Sequence, residues 1–237
     1  MNRVLQPEIL DHLKPDNPAA MAARRDLCKI NFCMGNVHLL ANALKTLPAP
    51  IKLAEIGCGD GAFLIALLRK FPSWQSVLQE IVLLDLQPAL TPSIKAEYQN
   101  LGWPIRIEQI NAEEWLRTTQ DRFDLIICNL FLHHFSEEQL LDLFAGFSKV
   151  TCAFVACEPR RGKVPYFFAH LLLGLGCNDV TRHDAVVSVA AGFKDSELTA
   201  IWQTSTDNSK QWKLDESRAG PFSHLFTAIS THAPKAN

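Results

Sequence analysis

The chain has 237 residues, of which 48% are hydrophobic and 20% charged, the make-up of an ordinary globular protein with room for one sizeable α/β domain and little for a second. Lys and Arg number 23 against 25 Asp and Glu, so no overall positive field draws the protein to nucleic acid or to an anionic membrane. Seven scattered cysteines with no C-x-x-C pair give neither a disulfide framework nor a zinc pattern.

The opening stretch, MNRVLQPEILDHLKPDN, lacks the charged and apolar halves of a signal peptide, so a reducing cytoplasm is the expected location. Pro7, Pro15 and Pro18 make residues 1–20 read as a loosely held leader. From Ala19 to Leu44 apolar residues recur at mixed three and four spacing, which predicts one or two helices broken near Gly35. Residues 1–50 are thus expected to form a helical leader or lid, ahead of a single domain over 51–237.

Strand and helix signals then alternate. Strands are predicted at 51–56, 81–85, 104–110, 123–129 and 152–158, with helices from Ala62 to Lys70, Ser93 to Asn100, near Ala112, and Ser136 to Phe147. Ser136 followed by Gln139 fits a capping box. The longest apolar run, Val164 to Cys177, is too short to span a membrane and predicts a buried helix. Residues 159–190 break the alternation and read as a substrate-pocket insertion, with Thr181-Arg182-His183-Asp184 opening a short helix. Ala191-Gly192-Phe193 then leads to a strand near 197–202, residues 203–220 to a turn or short hairpin, and residues 224–230 to the last strand. Apolar strands separated by helices call for a Rossmann-like, doubly wound, mostly parallel seven-stranded sheet with helices on both faces. Ligands bind such sheets at the carboxyl ends of the strands, where Gly57, Asp85, Asn111 and Asn129 fall.

The stretch IKLAEIGCGDGAF, residues 51–63, is the centre of the pattern. Gly57, Gly59 and Gly61 break an apolar strand just before a helix, where glycine lets the backbone turn or a ligand approach closely. The helix start adds free N–H groups and partial positive charge. Gly57-x-Gly59-x-x-Ala62 satisfies the dinucleotide fingerprint. Asp85, 26 positions after Gly59, is placed to accept both hydroxyls of a ribose, or else serves as a turn or helix-capping aspartate.

Read from Glu55, the same turn is Glu-x-Gly-x-Gly-x-Gly, which resembles the first motif of class I S-adenosylmethionine-dependent methyltransferases. FDLIICNLFLHHF, residues 123–135, resembles the fourth-strand motif of the small-molecule, ubiquinone- and menaquinone-type members. The resemblance covers about residues 51–158 and implies S-adenosylmethionine as cofactor. Gly57, Gly59 and Gly61 would shape its turn, Glu55 support the methionine end, and Asp85 take the ribose. Leu86 would face the adenine, with Asn111, Ala112 and Glu113 around it, Glu113 or Asn111 binding its amino group. Asn129 and Leu130 would offer backbone carbonyls to the methionine amino group. An N-cap role for Asn111 fits the sequence equally well. Where this family methylates exocyclic amines or glutamine, an Asn/Asp-Pro-Pro-aromatic step follows the fourth strand; here it is Asn129-Leu130-Phe131-Leu132.

His133 and His134 suit a general base near neutral pH, or packing behind the cofactor. As metal ligands they read poorly, because adjacent side chains diverge and no acidic or thiol partner lies at helical spacing, so no metal is expected. His183 is a candidate second base, with Arg182 and Asp184 solvated or capping their helix; Arg160, Arg161 and Tyr166 lie in the same pocket region. The expectation is methyl transfer to a small, apolar or aromatic acceptor, O-methylation favoured, by a monomer or homodimer. An NAD-dependent oxidoreductase and a non-catalytic S-adenosylmethionine-binding protein are the alternatives.

Overall fold

In the computed structural model, residues 1–14, 16–171, 176–206 and 211–231 are described. After the leader and a single 3-10 turn, Leu10–His12, come α1 (Pro18–Met34) and α2 (Asn36–Leu44). Asn17 caps α1 through the Ala19 N–H, and Gly35, at φ 72°, makes the left-handed joint between the two helices. The alternating part follows as β1 (Lys52–Ile56), α3 (Ala62–Leu68), β2 (Glu80–Asp85), α4 (Pro92–Asn100), β3 (Ile105–Gln109), α5 (Ala112–Thr118), β4 (Phe123–Asn129), α6 (Glu137–Val150) and β5 (Thr151–Pro159). The capping box predicted at Ser136 and Gln139 is present, with both reciprocal hydrogen bonds. Then come α7 (Lys163–Leu171), α8 (Asp179–Ala191), α9 (Glu197–Ser205), β6 (Trp212–Ala219) and β7 (Ser223–Ser230).

The strands form one seven-stranded sheet in the order β3-β2-β1-β4-β5-β7-β6. The first five are parallel, and β7 inserts antiparallel between β5 and β6. Strand order reverses between β1 and β4, which opens a crevice at their carboxyl ends. Alternating strand side chains feed two cores. Leu53, Leu83, Leu125, Ile127 and Val155 pack with Leu40, Leu44, Leu64 and Tyr98 on one face. Ile56, Val82, Ile126 and Phe154 pack with Trp115, Phe144, Phe147 and Trp202 on the other. Burial on both faces is why these strands read as continuous apolar runs.

Beyond β5 several expectations are corrected. Residues 197–202 are helical, because Leu198, Ile201 and Trp202 lie at i, i+3 and i+4 and bury together against α6. The sixth strand is instead β6, inside the polar stretch, where one half-buried face alternates with a solvated one at the sheet edge. The apolar run from Val164 does not form a buried helix: α7 exposes Val164, Phe167 and Phe168, and residues 172–175 of that run lie outside the described residues.

The leader is fastened rather than loose. The Val4 N–H donates to Ala190 O at 3.1 Å, and Arg3 donates to the carbonyls of Ala191 and Phe135, each at 2.8 Å. Asp184 is buried, not solvated, and its carboxylate accepts the Ile9 and Leu10 N–H groups at 2.8 and 3.0 Å. Arg182 instead pairs with Asp179 one helical turn away. No helix among the described residues is long and apolar enough to cross a membrane.

Candidate active site

Between β1 and α3 the glycine corner is built as its spacing requires. Gly57, Gly59 and Gly61 have φ of 76°, 54° and 75°, all in the left-handed region that disfavours a β-carbon. The Gly57 and Cys58 N–H groups both donate to Leu84 O, and the Gly59 N–H donates to Asp85 Oδ2 at 2.8 Å. Tyr98, the buried residue of α4, donates its hydroxyl to Gly61 O at 2.8 Å. The glycines differ in what surrounds them. A β-carbon on Gly57 would come 2.4 Å from the Phe131 ring, whereas one on Gly59 would have no atom of the described residues within 4 Å. Gly57 is thus required by packing, and Gly59 faces open space.

Glu55, the last residue but one of β1, is 2% exposed, and its Oε2 has no hydrogen-bond partner among the described residues. Burial, reinforced by the charges of Asp60 and Asp85, pushes its carboxyl well above the usual carboxylate range. A buried carboxyl with an idle oxygen beside a glycine corner is a place prepared for a cationic partner. Asp85 uses each oxygen once, for the Gly59 N–H and for the Gln87 N–H at 2.8 Å, which leaves lone pairs for further donors. Leu86 beside it is 61% exposed, a flat apolar surface at the crevice. These are the residues to which the resemblance assigns the methionine, ribose and adenine parts of S-adenosylmethionine, and an idle buried carboxyl, an aspartate with spare lone pairs and an exposed apolar side chain suit those parts chemically.

Toward the adenine end, Asn111 caps α5 by accepting the Glu113 N–H at 2.7 Å, and Ala112 is buried. The Glu113 side chain accepts from Gln139 Nε2 at 3.1 Å. At the end of β4, Leu130 adopts φ 55°, unusual for a residue with a side chain, and its N–H donates to Cys157 O. Asn129 is buried in an amide cluster: Asn36 Nδ2 donates to Asn129 Oδ1 at 3.0 Å, Asn129 Nδ2 to Asn31 Oδ1 at 3.3 Å, and the Ser223 hydroxyl to Asn36 Oδ1 at 2.7 Å. The helical leader therefore reaches the crevice through Asn31 and Asn36, and Cys28 Sγ lies 3.7 Å from Asp60 of the glycine corner.

The segment after β4 is organised by a residue the sequence reading missed. Glu158, wholly buried at the end of β5, accepts the N–H groups of Phe131, Leu132 and His133 at 3.0, 2.9 and 3.3 Å. Its Oε2 also lies 2.8 Å from His133 Nδ1, while Glu8 of the leader lies 3.3 Å from His133 Nε2. Both ring nitrogens of His133 are thus engaged. Burial alone would lower the imidazole pKa, but the hydrogen bonds to Glu158 and Glu8 more than offset it and raise the pKa to about 9. For Glu8 burial, the largest single influence, works upward, but the hydrogen bond and charge of His133, with the His134 charge and the Ser188 hydrogen bond, together outweigh it and lower the pKa to about 2. His134 stacks beside His133, ring centroids 4.2 Å apart, and its Nδ1 lies 3.3 Å from Asp11 Oδ2. His183 is not brought to this place: its side chain is 45% exposed on α8, with Nδ1 2.9 Å from Asp184. No signal in the sequence ties Glu8 to residue 133; only the fold does.

Residues 53–152 match the family described as "Methyltransferase domain". No curated protein matches the chain by sequence. Among solved structures, the plantazolicin methyltransferase BpumL in complex with SAH aligns with TM-score 0.62 at 12% identity, covering 90% of this chain and 91% of that one. The pyocyanin biosynthetic protein PhzM aligns with TM-score 0.60 at 14% identity, over 95% of this chain and 62% of that one. A putative O-methyltransferase from Nostoc punctiforme PCC 73102 aligns with TM-score 0.54 at 16% identity over 82% of this chain, which spans 56% of that protein's length. At these identities the likeness is one of fold.

Proposed function

We propose that the protein, whose residues 53–152 match a methyltransferase domain, is a class I, S-adenosylmethionine-dependent enzyme that methylates a small, apolar or aromatic acceptor at an oxygen atom. The observation that carries the reading is the unpartnered Glu55 Oε2 beside a glycine corner whose middle residue faces open space. Glu55 holds the cationic amino-acid end of the cofactor, together with the Asn129 and Leu130 carbonyls. Asp85 takes the ribose hydroxyls, and Leu86 with the Asn111–Glu113 segment borders the adenine. Bound there, S-adenosylmethionine supplies a methyl group made electrophilic by its sulfonium.

The chain's own contribution is alignment and exclusion of water. The Asn31, Asn36 and Asn129 amides form a polar strip where the leader helices meet the end of β4. Such a strip orients a polar atom of an otherwise apolar acceptor. The Asn129-Leu130-Phe131-Leu132 sequence and the name of one structural neighbour, "putative O-methyltransferase", support oxygen over nitrogen. His133, closed off at both nitrogens, serves as a positioning residue, and His183, half-exposed on α8, as a surface residue, rather than as bases. The free cysteines, several of them buried, suit the reducing cytoplasm.

Thermal-shift titration separates this from the nicotinamide reading. A ligand that binds only the folded state at a hundredfold excess over its dissociation constant stabilises by about 2.7 kcal/mol. S-adenosylhomocysteine is expected to raise the melting temperature and NAD to leave it unchanged; the reverse retires the proposal. Incubation with methyl-labelled cofactor and a panel of phenols, carboxylic acids and amines then identifies the acceptor class. Tight cofactor binding with no product from any member would favour a binding protein instead.

A further inference from the structure

The cluster that closes the leader onto the segment after β4 holds more ligating groups than a clasp needs. Glu8, His133 and His134 each turn a donor atom inward, and these three atoms lie within 4.8 Å of one another. We propose that Glu8, His133 and His134 bind one transition-metal dication of the zinc type, which fastens the leader to the segment that follows β4.

The two sides of the His133 ring differ in a way that supports this. Nδ1 sits 2.8 Å from Glu158, an ordinary charge-assisted hydrogen bond. Nε2 and Glu8 Oε1 are 3.3 Å apart, long for such a bond but close to the ligand–ligand spacing of about 3.3–3.4 Å around a tetrahedral ion with bonds of about 2.0–2.1 Å. A carboxylate on the far nitrogen of a metal-binding imidazole is the usual outer support, fixing tautomer and ring orientation. Glu158 occupies that place for His133, and itself is held by three backbone N–H groups.

Two imidazoles with one carboxylate select zinc, cobalt, nickel or copper over magnesium or calcium, which prefer all-oxygen sets. Glu8 and His133 are buried, but 27% of the His134 side chain is exposed, beside a groove bordered by Leu5, Gln6, Pro7, Asp11 and His12. An ion can approach from that side, and Asp11, already 3.3 Å from His134 Nδ1, or water completes the fourth position. The expectation that neighbouring histidines diverge is overturned here, since the 3-10 turn Leu132–His134 sets the rings side by side. The missing acidic ligand comes from 125 residues away. Phe131, two residues before His133, packs against Gly57, so an ion at this place also stiffens one wall of the glycine corner.

The full chain, stripped with chelator, is titrated with cobalt(II) alone and then with zinc(II) as competitor. The intense visible absorption of tetrahedral cobalt is expected to saturate at one ion per chain and to vanish as zinc is added. His134→Ala and Glu8→Gln are each expected to weaken cobalt binding at least about tenfold, and to abolish the rise in melting temperature that zinc gives the unmodified protein. His170→Ala, a substitution on the exposed face of α7, should change neither. If Glu8→Gln unfolds the leader by circular dichroism, the partly exposed His134→Ala decides alone. Cobalt binding to the unmodified chain that is no tighter than to His134→Ala, or that lacks the tetrahedral absorption, overturns the metal site and leaves Glu8, His133 and Glu158 as an ion-pair clasp only.

Discussion

Two glutamates at the carboxyl ends of parallel strands have opposite surroundings. Glu158 on β5 is wholly buried and receives three backbone N–H groups and an imidazole. Glu55 on β1 is also buried, yet among the described residues one of its oxygens receives nothing. A saturated buried carboxylate is part of the framework, because every donor it serves would otherwise be stranded. A buried carboxyl left unmatched costs stability and persists where something outside the chain completes it. Glu158 thus builds the framework, whereas the idle oxygen of Glu55 is the one that the proposed function gives to a ligand.

The sharpest test of that contrast is Glu158→Ala. It strands three N–H groups and a histidine at once, so a loss of about 3–5 kcal/mol in unfolding free energy is expected by denaturant titration, with cofactor affinity falling only because the fold fails. Gly59→Val acts on the other pole. Its β-carbon meets no atom of the described residues, so the chain is expected to fold still, at a cost of about 1–3 kcal/mol for a side chain at positive φ. Affinity for S-adenosylhomocysteine, measured calorimetrically, should fall about 100-fold, roughly 2.7 kcal/mol. An unchanged affinity would mean that the open space at Gly59 is not the ligand's.

Glu55→Gln should weaken the same ligand about tenfold, roughly 1.4 kcal/mol, while leaving the ligand-free chain folded. Its pH signature is distinctive. The folded-state pKa of Glu55 is raised, so its contribution to stability is fully present below the unfolded value of about 4.3 and is lost as pH rises toward the folded value. The ligand-free wild type should therefore lose stability across that window, and the Gln variant should lack that share of the slope. Binding of the cationic ligand end should also release a proton, seen as a dependence of the binding heat on buffer ionisation. Smallest of all, His183→Ala is expected to change stability by no more than about 0.5 kcal/mol and to leave turnover as it is. A large fall in rate would restore His183 as a base.

How much was readable from residues alone follows the same division. Glu55, Gly57, Gly59, Gly61 and Asp85 are legible because the corner is local: a strand, left-handed glycines and a helix start within a dozen residues, with Asp85 on the neighbouring strand. The parallel half of the sheet is legible because burial on both faces leaves unbroken apolar runs. Glu158 is not, since its donors are backbone groups of another segment and no spacing announces them. Glu8 and Asp184 are hidden for the same reason: a proline-bearing leader looks loose until its N–H groups find a distant carboxylate. At β6 and α9 the errors came from composition, since an edge strand with one solvated face reads as polar loop, and Ile201-Trp202 reads as strand until Leu198 is seen on the same helical face.

The hydrogen bond from Ser223 to Asn36 has a consequence for how the protein is made. Ser223 opens the last strand, and that strand fits between two others rather than adding at an edge. A nascent chain on the ribosome can form the glycine corner early, but its amide cluster stays incomplete, and β5 keeps a raw edge, until residue 230 has cleared the exit tunnel.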